Sequence, residues 1–164
     1  MWFFKRIIVL SILTITLSCG FKPLYSDLEK KNKVVGVLKI PKLDDKEGFH
    51  LREELIRRLG DAKDDTYTLS LQINTDRINE VITPNNEITS YRLIMTASYT
   101  IISKDGATVL QTQESIVRTG FSSSRNSTGF ITQIAEEAAK KRLAVKIAEK
   151  ISTRVMILSE NWLK

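Results

Sequence analysis

Cysteine occurs once in this 164-residue chain, and so does histidine. A single cysteine permits no internal disulfide, so packing alone must hold the fold. His50 stands beside Arg52, Glu53 and Glu54 on a helical pattern and reads as a solvated surface residue. With one histidine, Ser-His-Asp and Cys-His catalytic sites have few ways to form, and zinc lacks its usual ligands. Ser122, Ser123 and Ser124 have no GxSxG setting, and no glycine-rich loop could cradle a phosphate. Asp44–Asp45 and Asp64–Asp65 read as loop and cap residues rather than paired catalytic acids. Internal repeats and low-complexity tracts are absent. The chain therefore reads as a non-enzyme, with no cofactor and no metal.

Long apolar runs are missing as well. The longest, Ile7–Leu17, has eleven residues and follows the basic pair Lys5 and Arg6. As a helix it would rise about 16 Å, against a hydrocarbon core of about 30 Å. It is too short for a lasting span and has the form of a secretory signal. Ser18 and Gly20 flank Cys19, and this flank resembles the lipobox of bacterial lipoproteins, although Thr16 stands where that pattern prefers leucine. Residues 1–18 are then a lipoprotein signal peptide, and Cys19 becomes the lipid-bearing first residue. The alternative, an ordinary signal peptide, would leave a lone thiol in an oxidising compartment. Two or more acyl chains anchor stably where one does not. Gly20 is not acidic, which favours the outer membrane.

The net charge is +6, from 25 basic and 19 acidic side chains. Residues 1–18 hold two of the cations and no acid, so the remaining 146 residues carry +4. That length suffices for one domain with a core. An exported protein is an unsuitable nucleic-acid binder, and acidic envelope partners such as phosphorylated glycolipid suit it better.

Residues 19–33 read as a lipidated start and polar tether, and 34–164 as a single α/β domain. Val34–Ile40 is β-branched, ends at Pro41 and predicts a strand. Asp44 and Glu47 suggest a helix-start box, Gly48 is a weak point, and Leu51, Leu55 and Leu59 recur at helical spacing before Gly60. Tyr67, Leu69, Leu71 and Ile73 alternate on one face of a strand. Ile78 and Ile82 fall out of phase, which predicts a bulge or strand end near Asn74–Arg77. Pro84–Asn86 marks a turn. Tyr91–Ile101 alternates again, Asp105–Gly106 signals a hairpin, and Val109–Thr119 returns. After the polar loop 120–129, with Ser127 or Thr128 as cap, residues 130–158 read as one Ala-rich helix. Its apolar stripe changes side: Ile131, Ile134, Ala135, Ala138 and Val145 share one face, and Ala144, Ile147, Ala148, Ile151, Val155 and Leu158 another. A bend near Lys140–Leu143, or different partners for the two halves, would account for this.

The expected fold is α+β, in the order β-α-β-β-β-α: a four-stranded, mostly antiparallel sheet with two helices packed on one face. The other face would carry Thr68, Ser70, Gln72, Arg92, Thr96, Ser98 and Thr100, too polar for a second core. Arg92 and Arg118 on strands, Arg125 in the loop, and Lys140 and Lys141 on the helix are candidates for phosphate binding. Taken alone, these residues indicate a basic, lipid-anchored binding domain.

Cys19-Gly20-Phe21-Lys22-Pro23-Leu24-Tyr25 resembles the opening motif of the lipopolysaccharide-assembly lipoprotein family (LptE), especially its alphaproteobacterial members. Later stretches agree in order: Leu51, Arg52 and Leu55; Tyr91-Arg92-Leu93; Ala97-Ser98-Tyr99; and Ala135, Ala139, Arg142, Leu143 and Ala144 on the last helix. The resemblance spans nearly all of residues 17–164, and only the opening motif is specific. It implies an outer-membrane lipoprotein that plugs the LptD β-barrel, helps it assemble and takes part in inserting lipopolysaccharide into the outer leaflet. It implies that barrel, lipopolysaccharide and the membrane itself as partners, and the basic residues Arg92, Arg118, Arg125, Lys140 and Lys141 are then candidates for binding lipopolysaccharide phosphates. The competing reading is a periplasmic lipoprotein that scaffolds another envelope complex or binds peptidoglycan.

Overall fold

The computed structural model describes residues 34–62, 66–82, 88–122 and 129–163. Cys19, the tether, the Pro84–Asn86 turn, Arg125 and the Ser127/Thr128 cap lie outside these residues. The elements are β1 (Leu38–Lys39), α1 (Lys46–Leu59), β2 (Tyr67–Ile82), β3 (Ile88–Ser103), β4 (Thr108–Ser122), α2 (Gly129–Ile157) and a short α3 (Ser159–Trp162). The strands form one open sheet in the order β1-β2-β3-β4. β1 runs parallel to β2, while the β2–β3 and β3–β4 pairs are antiparallel. The architecture is the expected one: α+β, with the helices on one face.

The first strand is shorter than its composition predicts. Val35–Val37 form a turn, not strand, because Gly36 has φ +78° and its N–H donates to the Leu59 carbonyl at 2.7 Å. Gly60, at φ +72°, ends α1 in the same place, and a Cβ there would stand 2.8 Å from the Gly36 nitrogen. The two glycines let the β1 entry and the α1 exit pass in contact.

Asp45 caps α1, not Asp44: its carboxylate accepts from the Gly48 N–H at 2.5 Å. Leu51, Leu55 and Leu59 are fully buried. Each such leucine stabilises the fold by about 1.5–3 kcal/mol relative to exposure. They meet Leu69, Leu71, Leu93, Met95, Ala97, Tyr99 and Ile101 from the sheet, together with Leu143, Ile147, Ile151 and Val155 from α2. Trp162 closes this core near Tyr67, its ring edge-on at 5.5 Å between centroids and its indole N–H donating to the Val155 carbonyl at 3.1 Å.

β2 is not interrupted at Asn74–Arg77. Pairing with β3 continues through Asn79, and the register shifts at Glu80. The hydrophobic phase changes earlier because the strand has outrun the core. Arg77 points to the helix side, where its guanidinium lies over the Tyr91 ring, 4.7 Å from the centroid, and pairs with Glu136 at 2.8 Å. Ile78 emerges on the far side and is exposed.

α2 is continuous through Lys140–Leu143, and its two halves have different surroundings. Its fully buried residues begin at Ala139 and Ala135 packs against the core's margin, whereas Phe130, Ile131 and Ile134 are 69 %, 54 % and 51 % exposed. The first stripe does not enter the core, contrary to what its apolar composition suggests.

Candidate functional site

Beneath the helix layer, one face of the sheet is left uncovered by the described residues. Thr68, Ser70, Gln72, Thr96, Ser98 and Thr100 lie on it as expected, and no described residue projecting from β2 on that face is buried. Its side chains bond across strands, as between the Thr100 and Thr112 hydroxyls at 3.0 Å. Strands of about fifteen residues at about 3.3 Å each give a ribbon roughly 50 Å long. The face is rich in hydroxyls and amides.

Two of its cations, Arg92 and Arg118, lie toward one end, while Glu114 stands mid-strand opposite Ser98 and Lys39 beside Thr68 at the other end. Arg92 pairs across the ladder with Gly120 and Arg118 with Ile94, which makes the two guanidiniums diagonal neighbours on this face. Arg92 bonds the Glu80 carboxylate, at the β2 bulge. Arg118 is exposed and has no ion-pair partner among the described residues. Ile78 and Ile94 lie between these polar groups, so the patch couples cations to apolar surface.

Lys140 and Lys141 are not part of this patch. Lys140 sits in the α1–α2 seam, bonded to Glu47 at 2.8 Å and Glu136 at 3.5 Å. The Glu47 hydrogen bond, with both carboxylate charges, raises its pKa against the opposing effect of burial. Glu47 also accepts from the Thr75 hydroxyl at 2.5 Å, and Glu136 holds Arg77. This network ties α1, α2 and β2 together where the apolar core ends, so Lys140 serves the fold. Lys141 stands exposed on α2, without an ion pair among the described residues. Arg125, like Cys19, lies outside the described residues.

The network was invisible in the linear sequence because its members lie up to 93 positions apart, from Glu47 to Lys140. α1 and α2 run in the same direction, since Glu47 meets Lys140 and Arg58 meets Glu149 at 4.0 Å. His50 contacts Phe49 edge-on and lies 3.7 Å from Glu53. Among the described residues no group of His, Cys, Asp and Glu is placed to hold a metal ion. No described helix is long and apolar enough to cross a membrane.

Known structures share this architecture. A proposed lipoprotein from Caulobacter crescentus superposes with a TM-score of 0.63 at 19% identity, covering 80% of this chain and 96% of its own. The rare lipoprotein B of Shewanella oneidensis gives a TM-score of 0.56 at 17% identity, covering 75% and 93%. A minor lipoprotein of Acinetobacter baumannii gives 0.55 at 15% identity, covering 73% and 88%. At such identities the likeness concerns the fold. No curated protein sequence matches the chain. Residues 36–155 match the family model described as LptE, Lipopolysaccharide-assembly. That span takes in β1, α1, the whole sheet and α2 almost to its end, and on it the chain belongs to the LptE family of lipopolysaccharide-assembly lipoproteins.

Proposed function

We propose that the chain is processed at Cys19, anchored by acyl chains to the inner leaflet of the outer membrane, and seated in the lumen of an LptD-type β-barrel. There it takes part in delivering lipopolysaccharide to the outer leaflet. Residues 1–18 are the signal, 19–33 the tether, and 34–164 the plug. The observation that carries this reading is the uncovered sheet face. A plug needs a core of its own and a wet, hydrogen-bonding exterior, because the lumen of a large outer-membrane barrel is polar. The ribbon of Thr and Ser hydroxyls supplies one, while both apolar helix stripes of the core turn the other way.

Arg92 and Arg118 are the proposed phosphate contacts, with Lys141 and Arg125 as further candidates. Guanidinium forks suit phosphate, and Ile78 and Ile94 beside them suit the apolar part of a glycolipid. Lys140, committed to two carboxylates, is assigned to stability instead.

Extraction of the native protein in mild detergent, followed by identification of what co-purifies, tests the reading. A very large outer-membrane barrel as the stable partner is expected, together with a diacylglyceryl mass on Cys19. An unmodified thiol, or a soluble protein with no barrel, overturns it. Arg92→Glu with Arg118→Glu should reduce lipopolysaccharide retention without unfolding the chain, most clearly at low salt.

A further inference from the structure

Among the described residues β4 is an edge strand, paired with β3 alone. At its exposed border the Ile116 carbonyl accepts from the Lys150 ammonium at 3.2 Å, so this carbonyl points away from β3. In an antiparallel ladder the N–H and C=O of one residue share a side, and alternate residues repeat it. Pairing is regular from Gln113 to Ser122, so Glu114, Arg118 and Gly120 also turn their backbone groups outward.

Above this edge runs α2, and its charges are sorted. Its acids Glu136, Glu137 and Glu149 are matched with Arg77, Lys46 and Arg58 from β2 and α1. Arg142, Lys146, Lys150 and Arg154 form an exposed row at four-residue spacing, with no carboxylate partner among the described residues. Like charges four apart on a helix repel, and this row contains three such steps. Lys146, Lys150 and Arg154 also line a shallow depression of about 630 Å³ with Thr153, the exposed Ile157 and one acid, Glu149, which lies 4.0 Å from Arg58.

The spacings agree with one kind of occupant. Four residues of helix rise about 6 Å, and side chains on one face of a strand repeat every 6.6–6.8 Å or so. We propose that the β4 edge and the Arg142–Arg154 row form a docking surface for an extended acidic protein segment. It adds to the sheet as a fifth strand, with Asp or Glu at alternate positions facing α2. A lipid phosphate could satisfy the cations, but it has no donors for the outward carbonyls of β4. Lys150 leaves the Ile116 carbonyl for a carboxylate as the new strand takes its place. The inference is independent of whether the outer sheet face meets a barrel.

The test uses the full chain extracted in mild detergent and a short peptide with four glutamates at alternate positions among valines. Binding is followed by fluorescence anisotropy, and β4 by amide hydrogen exchange. The peptide is expected to bind, and to slow exchange at Arg118 and Gly120. A peptide of equal composition with its glutamates clustered at one end is expected to do neither. Lys146→Glu, Lys150→Glu and Arg154→Glu together should weaken binding about tenfold. If that variant unfolds, Lys146→Gln with Arg154→Gln, which relieves repulsion within the row, should still weaken it about threefold. Equal binding of the clustered peptide, or binding without protection of β4, overturns the proposal. Phosphatidylglycerol vesicles that displace the peptide and protect the same amides would assign the row to lipid and overturn it as well. So would self-association of a Lys150→Gln chain that ignores the peptide, because Lys150 would then only guard the edge.

Discussion

Gly48→Ala sets two effects of opposite sign against each other. Alanine inside a helix is favoured over glycine by about 1 kcal/mol, so helix propensity predicts a gain. Gly48, however, is buried at the third helical position of α1, and its N–H is held by the Asp45 cap. A Cβ built there would overlap the Leu43 Cβ and the Asp45 carboxylate oxygen at once. Relief requires both that Leu43, which packs on the core, move away and that Asp45 release the cap. Loss of a cap costs about 1 kcal/mol, and overpacking at a core boundary about 1–3 kcal/mol. The sum exceeds the propensity gain, so a net destabilisation of about 1–3 kcal/mol is expected. Urea denaturation followed by circular dichroism should show a lower midpoint at unchanged slope. Leu43→Gly with Gly48→Ala should cost less than the two single changes added together, since the clashing Leu43 Cβ is then gone. A stabilised Gly48→Ala chain, or strict additivity in the double variant, would refute the steric reasoning.

Three further outcomes rest on single contacts. Glu54 is gripped by Arg57 and Arg58 on its own helix; the Arg57 hydrogen bond, followed by that of Arg58, holds its pKa down at about 2 against an ordinary 4.5 despite burial. A depressed acid stabilises the fold above its unfolded pKa, so this contribution should vanish as pH falls from about 4.5 to 2, and Glu54→Gln should flatten that limb of a stability-versus-pH curve. Lys140→Met should lower stability by about 1–2 kcal/mol in urea, because Glu47 and Glu136 then face each other without their shared cation. Trp162→Ala removes a fully buried ring and its bond to the Val155 carbonyl, and thermal unfolding should report a loss of about 3–5 kcal/mol.

Alternation along Tyr67–Ile73 and Tyr91–Ile101 made β2 and β3 legible, because a half-buried strand writes its burial into every second residue. Leu51, Leu55 and Leu59 did the same for α1 at helical spacing. Such periods record that a face is apolar; they do not record what covers it. Ile131 and Ile134 have the helical period yet stay outside the core, while Trp162, with no period around it, lies at the core's edge. Val34–Val37 has strand composition, but the turn there is imposed by α1, whose last carbonyl captures the Gly36 N–H from 23 residues away. The Glu80 bulge was displaced from its expected place for a related reason: the phase of β2 changes where α2 stops supplying apolar contacts, which no local pattern can report.

Charge was the least legible property, and the three-dimensional arrangement accounts for it. Lys140, Lys141 and Arg142 are adjacent in sequence and look like one cluster. On the helix they stand about 100° apart, so each meets a different neighbour. Lys140 turns into the α1 seam and is neutralised, Lys141 faces solvent, and Arg142 begins the row beside the β4 edge. Only the parallel pairing of α1 with α2 decides which cations are consumed by the fold. Those left over are not adjacent in sequence at all: Arg118 on the sheet, and every fourth residue from Arg142 to Arg154 on α2. A cation is available for recognition here when no acidic residue of α1 or β2 reaches it, and that depends on the packing of the two helices rather than on the density of charge along the chain.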